Sequence, residues 1–291
     1  MKFIYTIFLL IFSVFFGKIS AQNINSAIGA RALAMGNATV TLRDNWSVGN
    51  NIAGIAGQKM HSAALSYHIP FGLTDFQTVG IVGNYVINNK SGLGLSITRF
   101  GSSVYSEQRF GLGYAHKLSN VSIGGKINYV QVAINDGSVG LTQGNRSAIV
   151  FEVGGIMDIS EKLSFGLHAY NVSTTKLRSD NGEDRLPIIL KAGASWKPIK
   201  KIFVNVEVEK DVDFKPNFKF GLDYEVAKTF WVRTGLNTLP QTNSFGIGFS
   251  PKNMKFDYAL VLATKLGLTH QFSLVYLFKS RYTVVSDVVT E

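Results

Sequence analysis

From about Ser62 to Phe278 the chain alternates apolar residues with polar or small ones at a period of two. Phe110, Leu112 and Tyr114 share one face while Gly111 and Gly113 share the other, and Leu93, Leu95 and Ile97 stand opposite Gly92, Gly94 and Ser96. Ile149, Phe151 and Val153 oppose Val150, Glu152 and Gly154, and Ile202, Val204, Val206 and Val208 oppose Phe203, Asn205, Glu207 and Glu209. Phe245 to Phe249, Phe256 to Leu260 and Phe272 to Phe278 repeat the device. Such alternation marks strands with one face in an apolar medium and the other against a polar or tightly packed interior.

The pattern predicts fourteen strands, at about 62–68, 77–87, 92–100, 105–116, 120–134, 147–160, 163–173, 185–197, 201–211, 214–226, 229–238, 244–250, 254–264 and 270–278. The links test the count, because bacterial outer-membrane barrels have an even strand number, short periplasmic turns and longer outer loops. Links after even-numbered strands are brief, such as Glu161-Lys162 and Ala227-Lys228, whereas Asp136 to Arg146 and Thr174 to Asp184, after odd strands, are longer. A soluble sandwich or a β-solenoid shares the alternation, but strands of roughly 9 to 11 residues suit a tilted membrane span. Aromatics near strand ends, among them Tyr67, Phe100, Tyr129, Trp196, Phe214 and Phe278, fit interfacial girdles. The expected fold is therefore all-β: a 14-stranded antiparallel transmembrane β-barrel over 59–278, preceded by a plug segment over 22–58 and followed by a periplasmic tail over 279–291. In that tail Val284-Val285 and Val288-Val289 can add a strand to a partner, or stay disordered.

The first twenty-one residues read as a cleaved secretory signal peptide: Lys2, an apolar run from Phe3 to Phe16 and a small residue at Ala21. No later apolar run reaches the roughly 18 residues of a helical span. Export and a barrel together point to the outer membrane of a Gram-negative bacterium. Composition agrees, with 16% charged residues and 29 glycines against averages of about 25% charged and about 7% Gly in soluble domains. The absence of cysteine removes disulfide scaffolds, thiol nucleophiles and cysteine zinc sites.

Residues 22–58 suit a plug. Ala27 to Gly36 reads as a short apolar helix, and Gly36, Gly49 and Gly54 allow tight turns. The segment is either a movable hatch over a ligand path or a constitutive stopper, and Arg31 calls for an acidic partner inside the barrel. Strand parity points Glu152, Asp158, Glu207, Glu209, Asp223 and Asp257 inward, with Arg109, Lys126, Lys191, Lys215, Lys219, Arg233 and Lys255. Mixed signs on neighbouring strands suggest cross-strand pairing, where a channel would show a ring of one sign. Arg109, Glu152, Glu207, Lys219, Arg233 and Asp257 are the expected centre of this lumenal charge network.

No catalytic, cofactor or metal site is legible. His61, His68, His116, His168 and His270 are scattered singly, and His168 reads as a hydrogen-bonded lumen residue. The pairs Gly124-Gly125 and Gly154-Gly155 lie within strands rather than in phosphate-cradling loops. The net charge of +10 includes Lys162, Lys197, Lys200, Lys201, Lys228 and Lys252 near turns, which can face solvent, anionic lipid headgroups or lipopolysaccharide phosphates. Nucleic acid has no basic, stacking groove to bind.

The stretch Gly29-Ala30-Arg31-Ala32-Leu33-Ala34-Met35-Gly36-Asn37-Ala38, with Asn51-Ile52-Ala53-Gly54-Ile55-Ala56, resembles the N-terminal signature of the PorV/PorQ branch of FadL-like outer-membrane proteins of Bacteroidetes. Leu266 to Leu274 is similar to that branch's last hairpin, and Glu209 to Pro216 to a stretch of its small members. The resemblance implies a 14-stranded barrel with an internal N-terminal hatch, in which Arg31, Met35, Gly36, Asn51 and Gly54 are the segment's key residues. Ile52 departs from the usual proline, and the chain is shorter than the FadL transporters or PorV. Three functions follow. The first is an accessory subunit of a type IX secretion or surface-assembly system, with a larger partner. The second is a FadL-like passage for small hydrophobic molecules, which a wall defect near Gly83, Gly94 or Gly125, or a wide apolar lumenal pocket, would favour. The third is a structural plugged barrel.

Overall fold

The computed structural model describes residues 27–134, 144–179, 182–263 and 267–279. The expected signal peptide, the first residues of the plug segment, most of the Asp136 to Arg146 link and the tail beyond Lys279 lie outside the described residues.

Among the described residues sixteen strands follow in order: β1 His61–Ile69, β2 Thr78–Val86, β3 Ser91–Gly101, β4 Tyr105–Leu118, β5 Val121–Ile134, β6 Gly144–Asp158, β7 Leu163–Tyr170, β8 Lys176–Ser179, β9 Gly182–Arg185, β10 Ile189–Trp196, β11 Ile202–Asp211, β12 Asn217–Ala227, β13 Phe230–Thr238, β14 Gln241–Phe249, β15 Met254–Ala263 and β16 Gly267–Phe278. All except β8 and β9 form one closed antiparallel barrel of fourteen strands, sealed by β1 against β16. Closure leaves none of these fourteen strands with an unpaired edge. No helix among the described residues is long and apolar enough to cross a membrane.

Side-chain alternation explains the closure. Outward positions such as Leu112, Leu167 and Phe218 are 61%, 65% and 61% exposed, although large and apolar, while inward Val130 and Val150 are buried. An apolar exterior on this scale suits lipid rather than water. The wall is continuous at the three glycines where a defect was in question. Gly83 pairs with Ala63 and Leu95, Gly94 with Asn84 and Gly113, and Gly125 with Tyr114 and Val153. Among the described pairings the register shifts once, between Glu225 and Ala227.

Three local expectations change. The link after β7 is not plain loop: it holds the β8–β9 hairpin, whose Leu177 packs with Leu186, Val130, Val150 and Tyr170 at the outer end of the barrel. β12 starts at Asn217, so Phe214 and Lys215 sit in an exposed loop rather than at wall positions. Pro216, without an N–H to donate, ends the ladder there. The apolar helix expected over Ala27 to Gly36 shrinks to α1, Ala30–Ala34, because Gly29 (φ 99°) and Gly36 (φ 63°) break the helical backbone on either side.

Residues 27–58 run through the lumen as α1, a second short helix α2 (Ser47–Asn50) and a 3₁₀ turn (Ile52–Ile55). Their apolar side chains complete the core. Trp46, Val48, Ile52 and Ile55 pack on Ala64, Val82, Ala115 and Val275, and Ala30, Leu33 and Ala34 on Ala259 and Val261.

Candidate functional site

The lumen has two chemically different sides. On the β11–β14 side the wall holds the N-terminal segment directly. Glu207 Oε2 accepts the backbone N–H groups of Thr39 at 2.6 Å and Val40 at 2.7 Å, so one carboxylate caps two successive amides. Asn205 adds a bond to Ala38 O at 2.6 Å, and Thr41 donates to Asn205 at 2.8 Å. Lys219 donates to Glu207 at 3.1 Å, to Glu209 at 2.7 Å and to Asn37 O at 3.3 Å, and Lys191 joins Glu209 at 3.3 Å. Glu207 and Lys219 are buried. Charge-assisted bonds in so dry a setting are the strong ones.

Arg31, in α1, bridges Asp223 of β12 at 3.0 Å and Asp44 of the segment at 2.9 Å. Asp223 also pairs with Arg233 at 3.1 Å, and Arg233 with Asp257 at 2.6 Å, so one segment arginine joins an ionic chain across β12, β13 and β15. Burial works to lower the Arg31 pKa, but Asp223 and then Asp44 outweigh it and raise the group above its ordinary range. Its positive charge is therefore permanent. Arg43 reaches Asp158 at 2.9 Å and Ser122 at 2.9 Å near the short-turn end.

The backbone of the segment lies against glycines of the wall. Met35 touches the space a Cβ would need at Gly221, and a Cβ on Gly235 would sit 2.1 Å from Gly36 N. Gly36 itself has a positive φ, and a Cβ on it would fall 2.6 Å from Leu236 O. Asn51, fully buried, donates to Val40 O at 2.6 Å and Leu167 O at 3.3 Å and accepts from Ala53 N at 3.2 Å. Gly54 leaves no room for a side chain, since a Cβ would lie 2.3 Å from Leu42 O.

The β4–β7 side buries less charge, and apart from Asp158, which holds Arg43, that charge pairs within the wall. Glu152 takes Lys126 at 3.3 Å, Asn128 at 2.5 Å and His168 Nε2 at 3.1 Å. Arg109 lies 3.6 Å from Glu107 and over the Tyr170 ring at 5.8 Å. These groups line a cavity of about 80 Å³ that reaches the outer ends of β1–β3 at Pro70, Thr78 and Phe100. A second, larger cavity of about 570 Å³ lies at the short-turn end, between Arg43 of the segment and a wall that includes Lys117, Lys197, Lys201, Phe203 and Trp231.

The six charged residues expected to form one network therefore fall into three groups: Arg109 and Glu152 at the outer cavity, Glu207 and Lys219 under Thr39 and Val40, and Arg233 and Asp257 in the chain leading to Arg31. Sequence reasoning missed Asp44, Arg43 and Asn205 as holders of the segment. Asn205 carries the inward parity of Glu207, which is a usable signal; Asp44 and Arg43 stand in irregular backbone, where parity says nothing. Among the described residues no group of His, Asp and Glu is arranged to hold a metal.

A closed fourteen-stranded wall, apolar outside and polar inside, with its lumen occupied by its own N-terminal segment, defines an outer-membrane-type β-barrel. The chain belongs to the PorP/SprF family of type IX secretion system membrane proteins, whose profile matches residues 52–276. The Pseudomonas putida toluene transporter TodX shares the fold, with a TM-score of 0.63 at 10% identity over 87% of this chain and 98% of that one. A FadL homologue of Pseudomonas aeruginosa gives 0.57 at 14% identity, over 90% of this chain and 100% of its own. No curated protein matches the sequence. The barrel thus shares its fold with a FadL homologue, and the family that the sequence matches is the type IX secretion family PorP/SprF.

Proposed function

We propose that the protein is an accessory subunit of a type IX secretion or surface-assembly system: an outer-membrane barrel, exported by a cleaved signal peptide over residues 1–21, that does not itself carry cargo through its lumen. The observation that carries this reading is the direct bonding of residues 37–41 to Glu207, Asn205 and Lys219, in a chain of the PorP/SprF family. A segment fixed by buried charge-assisted bonds acts as a stopper, with Arg31, Met35, Gly36, Asn51 and Gly54 as its fixing points. The surfaces left for a larger partner are the outer wall and the short-turn end, which in outer-membrane barrels faces the periplasm. Lys197, Lys200 and Lys201 border the cavity there. Lipid met by these lysines belongs to the inner leaflet, so lipopolysaccharide phosphates, at the opposite end, are not their partners.

A FadL-like passage for hydrophobic molecules is the second reading, favoured by the fold shared with TodX and the FadL homologue. Against it stand the intact ladders at Gly83, Gly94 and Gly125 and the polar lining of the outer cavity. Mass spectrometry of the tagged protein, extracted gently from its native membrane, separates the two. Stoichiometric co-purification of secretion components supports the subunit reading; a lone barrel carrying an apolar adduct overturns it.

A further inference from the structure

The outer face of β3–β6 carries a polar row that neither the plug nor the cavities use. Thr98 and Phe100 of β3 and Glu107 and Arg109 of β4 line the outer cavity, so Arg99 and Gln108 between them point out of the wall. Val130, Val132 and Ala148 are buried inward, which turns Gln131 of β5 and Ser147 of β6 outward as well. Cross-strand register sets these four side by side: Arg99 faces Gln108, Gln108 faces Gln131, and Gln131 faces Ser147, with neighbours roughly 5 Å apart. All four lie toward the outer ends of their strands. Directly below, in the same register, runs the apolar row Ile97, Phe110, Tyr129 and Ile149, with the rings of Phe110 and Tyr129 6.5 Å apart. The polar row therefore sits at the step where the lipid-facing band ends.

The charge of this row is unspent. Arg99 is exposed, and its side chain makes no hydrogen bond or ion pair among the described residues; the same holds for half-buried Gln108 and Gln131 and for exposed Ser147. No acid stands next to the row, since the registered positions above it are Gly101, Ser106, Ala133 and Asn145. Lys210, the outward cation near the outer end of β11, differs: it donates to the carbonyl oxygens of Val212 and Phe214. An arginine left free at an acyl boundary suits a phosphate, because its planar fork meets phosphate oxygens two at a time. In an outer-membrane barrel the long-loop end faces outward, where the leaflet's phosphates belong to lipopolysaccharide and are carried on sugars. The hydroxyls of those sugars suit the two glutamine amides and the Ser147 hydroxyl, and acyl chains suit the row beneath. We propose that Arg99, Gln108, Gln131 and Ser147 form a site on the outer wall for one phosphate of lipid A and the sugar that bears it.

Native mass spectrometry of the full chain in detergent, titrated with lipid A, with lipid A stripped of its phosphates and with phosphatidylglycerol, tests this. A lipid A adduct is expected, with the other two lipids retained far more weakly. Arg99→Gln should weaken lipid A binding roughly tenfold, the loss of one charge-assisted contact, Gln131→Leu by a smaller factor, and Lys200→Gln, at the opposite end, not at all. Arg99 holds nothing within the fold, so Arg99→Gln should keep the heat-modifiable gel mobility of the folded barrel, which separates lost binding from lost folding. Lipid A binding that survives Arg99→Gln, or equal retention of the stripped form, would overturn the assignment. Equal retention of phosphatidylglycerol would mean a phosphate contact without a sugar, and a folded barrel with no adduct would mean a row that meets only solvent; either result overturns it as well.

Discussion

The two sides of the lumen use their buried charge differently. On the β11–β14 side, Glu207, Lys219 and Asp223 reach the peptide and side chains of residues 31–40. On the β4–β7 side, Glu152, Lys126 and His168 satisfy one another around open space. Mixed-sign charge in a barrel interior is therefore no sign of a role by itself. What decides is whether a carboxylate also reaches the segment, as Glu207 and Asp223 do, or bonds to wall side chains, as Glu152 does.

The contrast is broken most severely at Glu207. Glu207→Ala orphans two buried amides and weakens the partners of Lys219, a loss of about 3–5 kcal/mol. Trypsin should then cut at Arg31 and Arg43, which the folded wild type protects, and denaturation in detergent should show the destabilisation. Gly235→Val drives a side chain into Gly36, and overpacking of this kind costs about 1–3 kcal/mol; the same trypsin assay should expose the segment in part. Arg31→Ala removes two ionic hydrogen bonds from a side chain that is 23% exposed, for a loss of about 2 kcal/mol seen as a lower thermal midpoint. Arg43→Ala breaks a pair whose members are 26% and 29% exposed, and partly solvated pairs contribute under about 1 kcal/mol. Glu152→Gln should leave trypsin protection of the segment unchanged, since no bond from that cluster holds it; released segment in this variant would erase the distinction between the two sides.

Much of the architecture was legible because a barrel strand is read by parity alone. The alternation of Phe110, Leu112 and Tyr114 with two glycines, and of Val204 to Val208 with Asn205 and Glu207, encodes both the strand and its lumenal face. Parity also turned Glu207, Lys219, Arg233 and Asp257 inward. It failed where a backbone leaves the ladder: Lys215 follows the same odd positions but precedes Asn217, where pairing starts, and the β8–β9 hairpin lies in a link read as loop. Which inward charges meet was beyond parity, because it depends on the stagger between strands and on the path of an irregular segment. Arg31 was expected to need an acid in the barrel, and Asp223 is there; Asp44, its second partner, sits on the segment itself and gave no periodic signal.

Ion conductance of the full chain in a planar lipid bilayer, compared with the Glu207→Ala variant, measures most directly whether a segment fixed on the β11–β14 side closes the lumen. The wild type should insert without a steady current while the variant shows openings. A stable open current through the wild type, of the size seen in the variant, would contradict the account.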